Sequence, residues 1–148
     1  MKNVIKFIAS VFYVGYSPVV PGTNGALVGL IFYLFTLRSH LSFLILTAAV
    51  TVVGFLVSGR AEEIFGKKDA KQIVIDETAG MMLSFALIPY KMHYLVIGFI
   101  LFRILDIIKP YPARSAENLH GSAGIMLDDI ICAVYTNIAL RIIIALGF

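Results

Sequence analysis

A chain of 148 residues has room for one domain and not for two, and it reads as a single domain over 1–148. Its 59% hydrophobic and 14% charged content, with mean hydropathy +0.92, departs from soluble averages of about 45–50% and 25% and describes an integral membrane protein. The net charge of +3 comes from basic residues scattered around apolar runs, which excludes a nucleic-acid footprint, while the lone Cys132 excludes an internal disulfide or a Cys-rich zinc site.

In chain order, residues 4–14 place Val4, Phe7, Ile8, Val11 and Phe12 at helical spacing behind Lys2 and Lys6. The run is shorter than the roughly 20 residues of a span. Ser17 to Pro21 offers no small-x-small cleavage site, so the segment reads as an interfacial amphipathic helix rather than a signal peptide. Gly15 to Gly25 follows, with Pro18, Pro21 and three glycines arguing against regular structure. Gly22 and Gly25 would let backbone N–H groups approach an anion, with Thr23 and Asn24 adding polar side chains, at the head of the next apolar run, Ala26 to Leu37. A turn that merely enters a membrane helix explains the same residues.

A tight turn at Arg38-Ser39-His40 leads into Leu41–Val57, the cleanest spanning segment. The polar island from Gly59 to Gln72 reads as a solvated loop. It passes through Ile73-Val74-Ile75 to Asp76 and Glu77, which open another apolar run. Met81–Ile88 and Tyr94–Leu101 flank the turn Pro89-Tyr90-Lys91 and form a helical hairpin, which brings Asp76-Glu77 and Asp106 to one end. Arg103, Asp106 and Lys109 recur every three residues and share one helix side, with a surface Arg103–Asp106 pair as the plain alternative. Pro110 ends that helix. A polar link then reaches His120, which on spacing alone is a ligand, an acid or a loop residue. Asp128-Asp129 precede the last apolar helix, Ile130 to Phe148, which carries Arg141.

Ionised groups at the centre of a bilayer cost about 2.5–3.5 kcal/mol each. Asp76, Glu77, Asp106, Asp128 and Asp129 therefore belong near the membrane surface, in a wet pocket, or around a cation. Oxygen-only ligands suit Mg²⁺ before zinc. Arg103, Lys109 and a Gly-rich backbone suit a phosphate. Together these point to phosphomonoester hydrolysis or phosphoryl transfer. The rival is an ion path in a small transporter or channel subunit; it expects acids near mid-span, whereas these lie at span ends. With the Arg60–Lys71 island in the cytoplasm, the Pro21–Gly25 turn, Asp76-Glu77 and the Arg103–Asp129 region fall on that side. Arg38 and Lys91 fall outside, as the positive-inside rule asks.

Pro18–Leu27, Ile73–Gly80, Phe102–Pro112 and Gly124–Asp129 resemble, in that order and over nearly the whole chain, bacterial phosphatidylglycerophosphatase A. The resemblance implies a Mg²⁺-dependent phosphoric monoester hydrolase of phospholipid biosynthesis, converting phosphatidylglycerophosphate to phosphatidylglycerol. It makes Asp76, Glu77, Asp106, Asp128 and Asp129 the acidic, metal-side residues, with Asp76, Asp106, Asp129 and Arg103 catalytic. Arg103, Lys109 and the Gly22-Thr23 turn become phosphate-side groups, and Asn24 and His120 complete the expected substrate-binding set. The expected architecture is an all-α integral membrane bundle of about four spans plus the N-terminal interfacial helix. The expected location is the bacterial inner membrane, with the site facing the cytoplasm among membrane lipids. A soluble helical bundle that uses the apolar runs as its core is the remaining alternative. Attack by water and a phospho-aspartyl intermediate both stay open.

Overall fold

The computed structural model describes residues 1–36 and 39–147, and the readings made above for Leu37, Arg38 and Phe148 lie outside them. Among the described residues the regular elements are helical: α1 (Lys2–Ala9), a 3-10 turn (Val14–Tyr16), α2 (Pro21–Phe35), α3 (His40–Phe65), α4 (Ile75–Ser84), α5 (Met92–Ile108), α6 (Ala113–Ala116) and α7 (Ser122–Ala145). The all-helical class follows the apolar periodicity.

Three boundaries differ from expectation. α1 stops at Ala9, because Val11, Phe12 and Tyr13 take left-handed conformations (φ 47°, 58° and 66°) that no α-helix continues through. α2 begins at Pro21, so the glycine-rich stretch 22–25 is helical. Proline at the first helical position needs no N–H partner and has its φ already set, so here it opens a helix rather than breaking one. α3 runs on through Gly59, Arg60, Glu62 and Glu63 to a left-handed Gly66, so half of the polar island is helix.

α4 lies at the centre of the bundle. Of its ten residues, Ile75, Asp76, Thr78, Ala79, Gly80, Met81, Met82 and Ser84 are buried. α2 approaches closely enough for the Thr78 hydroxyl to donate to the Gly25 carbonyl at 2.9 Å. α2, α3, α5 and α7 surround α4 and turn apolar side chains outward at helical spacing. Leu27, Ile31 and Leu34 do so on α2, and Leu41, Ile45, Val52 and Leu56 on α3. Val96, Ile100 and Ile104 follow on α5, and Val134, Ile138 and Ile142 on α7. Apolar surface this extensive is foreign to a monomer in water. Among the described residues α3 alone is long and apolar enough to cross a bilayer by itself. Its 26 residues reach about 39 Å at 1.5 Å per residue.

The expected hairpin is present but unequal. α4 ends at Ser84, well short of Pro89, and leaves carbonyls without helical partners deep in the bundle. α7 supplies the donors. Asn137 Nδ2 donates to the Ser84 and Ala86 carbonyls at 3.0 and 2.9 Å, and Arg141 donates to Ala86 at 3.3 Å and to Asn137 Oδ1 at 2.8 Å. Arg141, odd in an apolar run, thus closes a broken helix. Leaving a buried carbonyl unpaired costs about 1–3 kcal/mol. Asn137→Leu is expected to lower the melting temperature in detergent by at least about 4 °C. Activity per folded molecule should persist, as read by a thermal scan beside a phosphate-release assay.

Candidate active site

Four segments meet at one end of the bundle: the first turns of α2 and α4, the last turn of α5 and the second turn of α7. Asp76 and Glu77 occupy the first turn of α4, where unpaired backbone N–H groups favour negative charge. Asp129 enters from α7, and one carboxylate oxygen from each of Asp76, Glu77 and Asp129 lies within 4.8 Å of the others. The hairpin turn and the α7 register therefore gather residues separated by more than fifty positions.

These acids sit in little water. Asp76, Asp128 and Asp129 are 6%, 4% and 3% exposed. Among the described residues Asp76 Oδ1, Glu77 Oε2, Asp128 Oδ1 and Asp129 Oδ2 are buried without a hydrogen-bond partner, as is Arg103 Nε. Burial, then repulsion by Glu77, pushes the Asp76 carboxyl well above the usual carboxylate range. Burial also lifts Glu77 to about 7, against the opposing pull of its hydrogen bond to Asp76 and of Arg103. Buried polar atoms are ordinarily paired. The carboxylates of Asp76, Glu77 and Asp129, clustered with no sulfur or imidazole among them, form a donor set that fits a hard divalent cation.

The cationic groups are arranged around the acids. Arg103 Nη1 donates to Asp106 Oδ2 at 2.6 Å, so the (i, i+3) pair on α5 forms as spacing allowed. Arg103 also lies beside Glu77, and both meet the start of α2 at Gly22, where an added Cβ would overlap Glu77 Oε1. An added Cβ there would push the Glu77 carboxylate aside, an effect of close approach and not of backbone angles. Lys109 takes a left-handed conformation at the end of α5 (φ 49°), and its ammonium is held by Asp128 at 2.6 Å and by Glu117 at 3.1 Å. Burial alone would lower the Lys109 ammonium, but the hydrogen bonds and charges of Asp128 and Glu117 raise it above the ordinary lysine range.

A cavity of about 570 Å³ opens beside this cluster. The partly buried Glu77 and Arg103 form its floor, Pro21 and Gly22 line it as well, and the exposed Asp69 and Lys71 stand at its rim. Of the expected substrate-side residues, Gly22 and Arg103 line it. Thr23 and Asn24 do not, and the Asn24 side chain donates instead to the Val19 carbonyl at 3.1 Å. His120 lines a separate groove with Glu62, Glu63, Lys67 and Lys68. Lys109 stands against Asp128 rather than in the cavity.

Sequence reasoning passed over Asp69 and Glu117. Asp69 holds a left-handed backbone (φ 46°), and its N–H donates to Glu62 Oε1 at 3.0 Å. Burial raises its carboxyl, Lys109 lowers it, and Glu117, Asp106 and Glu62 raise it, so it shares the field of the site. Within Gly66-Lys67-Lys68-Asp69-Ala70-Lys71 it carries no pattern separating it from a solvated loop.

The family profile for phosphatidylglycerophosphatase A matches residues 7–144. The chain belongs to the phosphatidylglycerophosphatase A family. Curated relatives agree over most of their length. A phosphatidylglycerophosphatase A of Escherichia coli is 35% identical over 137 residues, covering 90% of this chain and 80% of the relative. The Haemophilus influenzae protein of the same name is 35% identical over 139 residues, covering 91% and 85%. A Bacteroides thetaiotaomicron protein named putative phosphatidylinositol-3-phosphatase is 34% identical over 144 residues, covering 91% and 90%. No solved structure matches. Membership in the phosphatidylglycerophosphatase A family makes the chain a phosphatase of phospholipid metabolism, and the ion-path reading falls away.

Proposed function

We propose that the protein is a Mg²⁺-dependent phosphatase that hydrolyses phosphatidylglycerophosphate to phosphatidylglycerol and phosphate at the cytoplasmic face of the inner membrane. The observation that carries this reading is the set of buried carboxylate oxygens without partners on Asp76, Glu77, Asp128 and Asp129, beside Arg103 and a cavity that admits a headgroup. Asp76, Glu77 and Asp129 would hold the ion, with Asp106 and Asp128 flanking. When bound, such an ion neutralises phosphoryl charge and lowers the pKa of a coordinated water.

The chain's own residues supply the rest. Arg103, steadied by Asp106 through Nη1, keeps Nε free to donate to a phosphoryl oxygen. Gly22 lets the start of α2 approach Glu77 and Arg103 closely. Burial excludes bulk water from the acids, which strengthens each charge interaction with the phosphate. Water adds across the P–O ester bond, its oxygen ending on the released phosphate and a proton on the alcohol of the departing lipid.

The relatives' names suggest two lipid classes, phosphatidylglycerophosphate and phosphatidylinositol 3-phosphate. The test is phosphate release from each, in mixed micelles, by purified protein with Mg²⁺ and with EDTA. The reading expects release from phosphatidylglycerophosphate that EDTA abolishes and Mg²⁺ restores. Release that survives EDTA overturns the metal, and exclusive hydrolysis of the inositol lipid overturns the substrate.

The outward apolar faces of α2, α3, α5 and α7 support four crossings, with α4 dipping part-way and α1 lying in the interface. In a Cys132→Ser background, cysteines at Lys68 and Arg114 should label from the cytoplasm only. One at Lys91 should label from the opposite side.

A further inference from the structure

We propose that Lys71 binds the phosphodiester of the lipid headgroup, so that the cavity reads two phosphates at once. The monoester sits at Arg103 and the acids, the diester at Lys71. This rests on the proposed function and names a specificity residue within it.

At about 570 Å³ the cavity falls within the range of roughly 300–1,000 Å³ that small-molecule sites occupy, larger than one phosphoryl group needs. Its floor has one cation, Arg103, and its rim has another, Lys71. They differ in their engagements. Arg103 is tied to Asp106, whereas Lys71 has no carboxylate within ion-pairing distance among the described residues. An uncommitted ammonium at the mouth of a cleft whose floor is acidic is suited to an anion distinct from the one at the floor. A diester phosphate keeps a single charge at all physiological pH, which one lysine ammonium can balance as a point charge.

The rim is fixed in place, so Lys71 is not a loose loop residue. Gly15 packs against the Gln72 carbonyl so closely that a Cβ would overlap it, and Val74 N–H donates to the Ala9 carbonyl at 3.0 Å. These contacts clamp residues 72–74, directly after Lys71, to the segment from Ala9 to Gly15. Tyr16 lines the same cavity and is half-exposed. It belongs to an aromatic chain, Phe7–Tyr13–Tyr16–Phe65, with ring centroids 5.4, 5.4 and 6.3 Å apart. Aromatic residues of this kind favour the membrane–water boundary. On this proposal the mouth beside Tyr16 meets the lipid's diester, and the monoester reaches Arg103.

The test compares Lys71→Ala, Lys71→Arg and Lys68→Ala with the wild type in mixed micelles at saturating Mg²⁺. Three quantities are measured: KM and kcat for phosphatidylglycerophosphate, inhibition by phosphatidylglycerol, which has the diester alone, and inhibition by inorganic phosphate. Lys71→Ala should raise KM at least about tenfold with kcat changed less than about threefold, the signature of lost uniform binding. Inhibition by phosphatidylglycerol should weaken in parallel, and inhibition by inorganic phosphate should hold. Lys71→Arg should recover most of the affinity, and Lys68→Ala, on the separate groove, should change nothing. Equal weakening toward phosphatidylglycerol and phosphate, an unchanged KM, or the same loss in Lys68→Ala overturns the assignment. If the wild type releases no phosphate from the lipid, the function reading fails. Thermal protection by phosphatidylglycerol, compared between wild type and Lys71→Ala, then still decides whether Lys71 binds the diester.

Discussion

Asp76→Asn and Asp129→Asn are each expected to lower kcat by at least about a hundredfold while raising the melting temperature of the metal-free protein. A charged ligand contributes several kcal/mol to the transition state, and about 1.36 kcal/mol is a factor of ten. The opposite sign on stability follows from the same geometry. Three buried carboxylates within 4.8 Å repel when no cation joins them, so an amide of equal shape relieves the folded state. pH supplies a further reading. Glu77 is lifted from 4.5 to about 7, so between those values the folded protein holds a proton the unfolded chain has lost. The stability that Glu77 contributes to the metal-free protein is therefore fully present below about 4.5 and is lost as pH rises through about 7. A thermal scan in EDTA should show a lower melting temperature at pH 8 than at pH 5, and Mg²⁺ should restore more at pH 8. Near-wild-type kcat in both variants, or melting in EDTA that rises with pH, would sink the shared-cation site. Glu63→Gln, on the separate groove, serves as the control and should leave kcat unchanged.

Arg103→Gln is expected to lower kcat/KM at least tenfold even with excess Mg²⁺. An (i, i+3) ion pair on an exposed helix contributes only about 0.2–0.5 kcal/mol, barely a twofold effect. Arg103 is not limited to that pair. Its Nη1 bonds Asp106 at 2.6 Å, its Nε is buried without a partner among the described residues, and the side chain lines the cavity. Loss of a charge-assisted bond to phosphate costs roughly 1.5–3 kcal/mol. Lysine restores charge without the fork, so Arg103→Lys should recover activity only in part. Steady-state rates across a Mg²⁺ series separate the two roles. A structural partner of Asp106 shifts the Mg²⁺ concentration for half-activity, whereas a phosphate contact lowers the rate at saturation. A normal rate for Arg103→Gln at saturating Mg²⁺ would remove it from the site.

Much of the site was legible because buried charge is costly in an apolar chain. Asp76, Glu77, Asp106, Asp128 and Asp129 stood out against their surroundings, and a hairpin sufficed to bring Asp76-Glu77 and Asp106 to one end. The glycine-rich start of α2 was misjudged as irregular, since proline looks alike in a string whether it opens a helix or breaks one. The polar residues of α3's last turns looked like a loop, because helix and loop share that composition where the helix leaves the apolar layer.

Sequence alone determined the helical class and the apolar exterior, and singled out the carboxylates that interrupt apolar runs, because periodicity and hydropathy are local properties and charge in an apolar run declares itself. The placement of the cations was decided by tertiary structure. Arg103 and Lys109 share a helix side, yet Arg103 lines the cavity while Lys109 is held between Asp128 and Glu117. His120 and Asp69 changed places in the same way: the histidine fell in another groove, and the unremarked aspartate came to the rim. Arg141 became intelligible only once α4 was seen to end inside the bundle beside it. Spacing along a helix fixes which side a residue takes. Which partner waits on that side depends on chain segments far away in sequence, brought there by packing around α4.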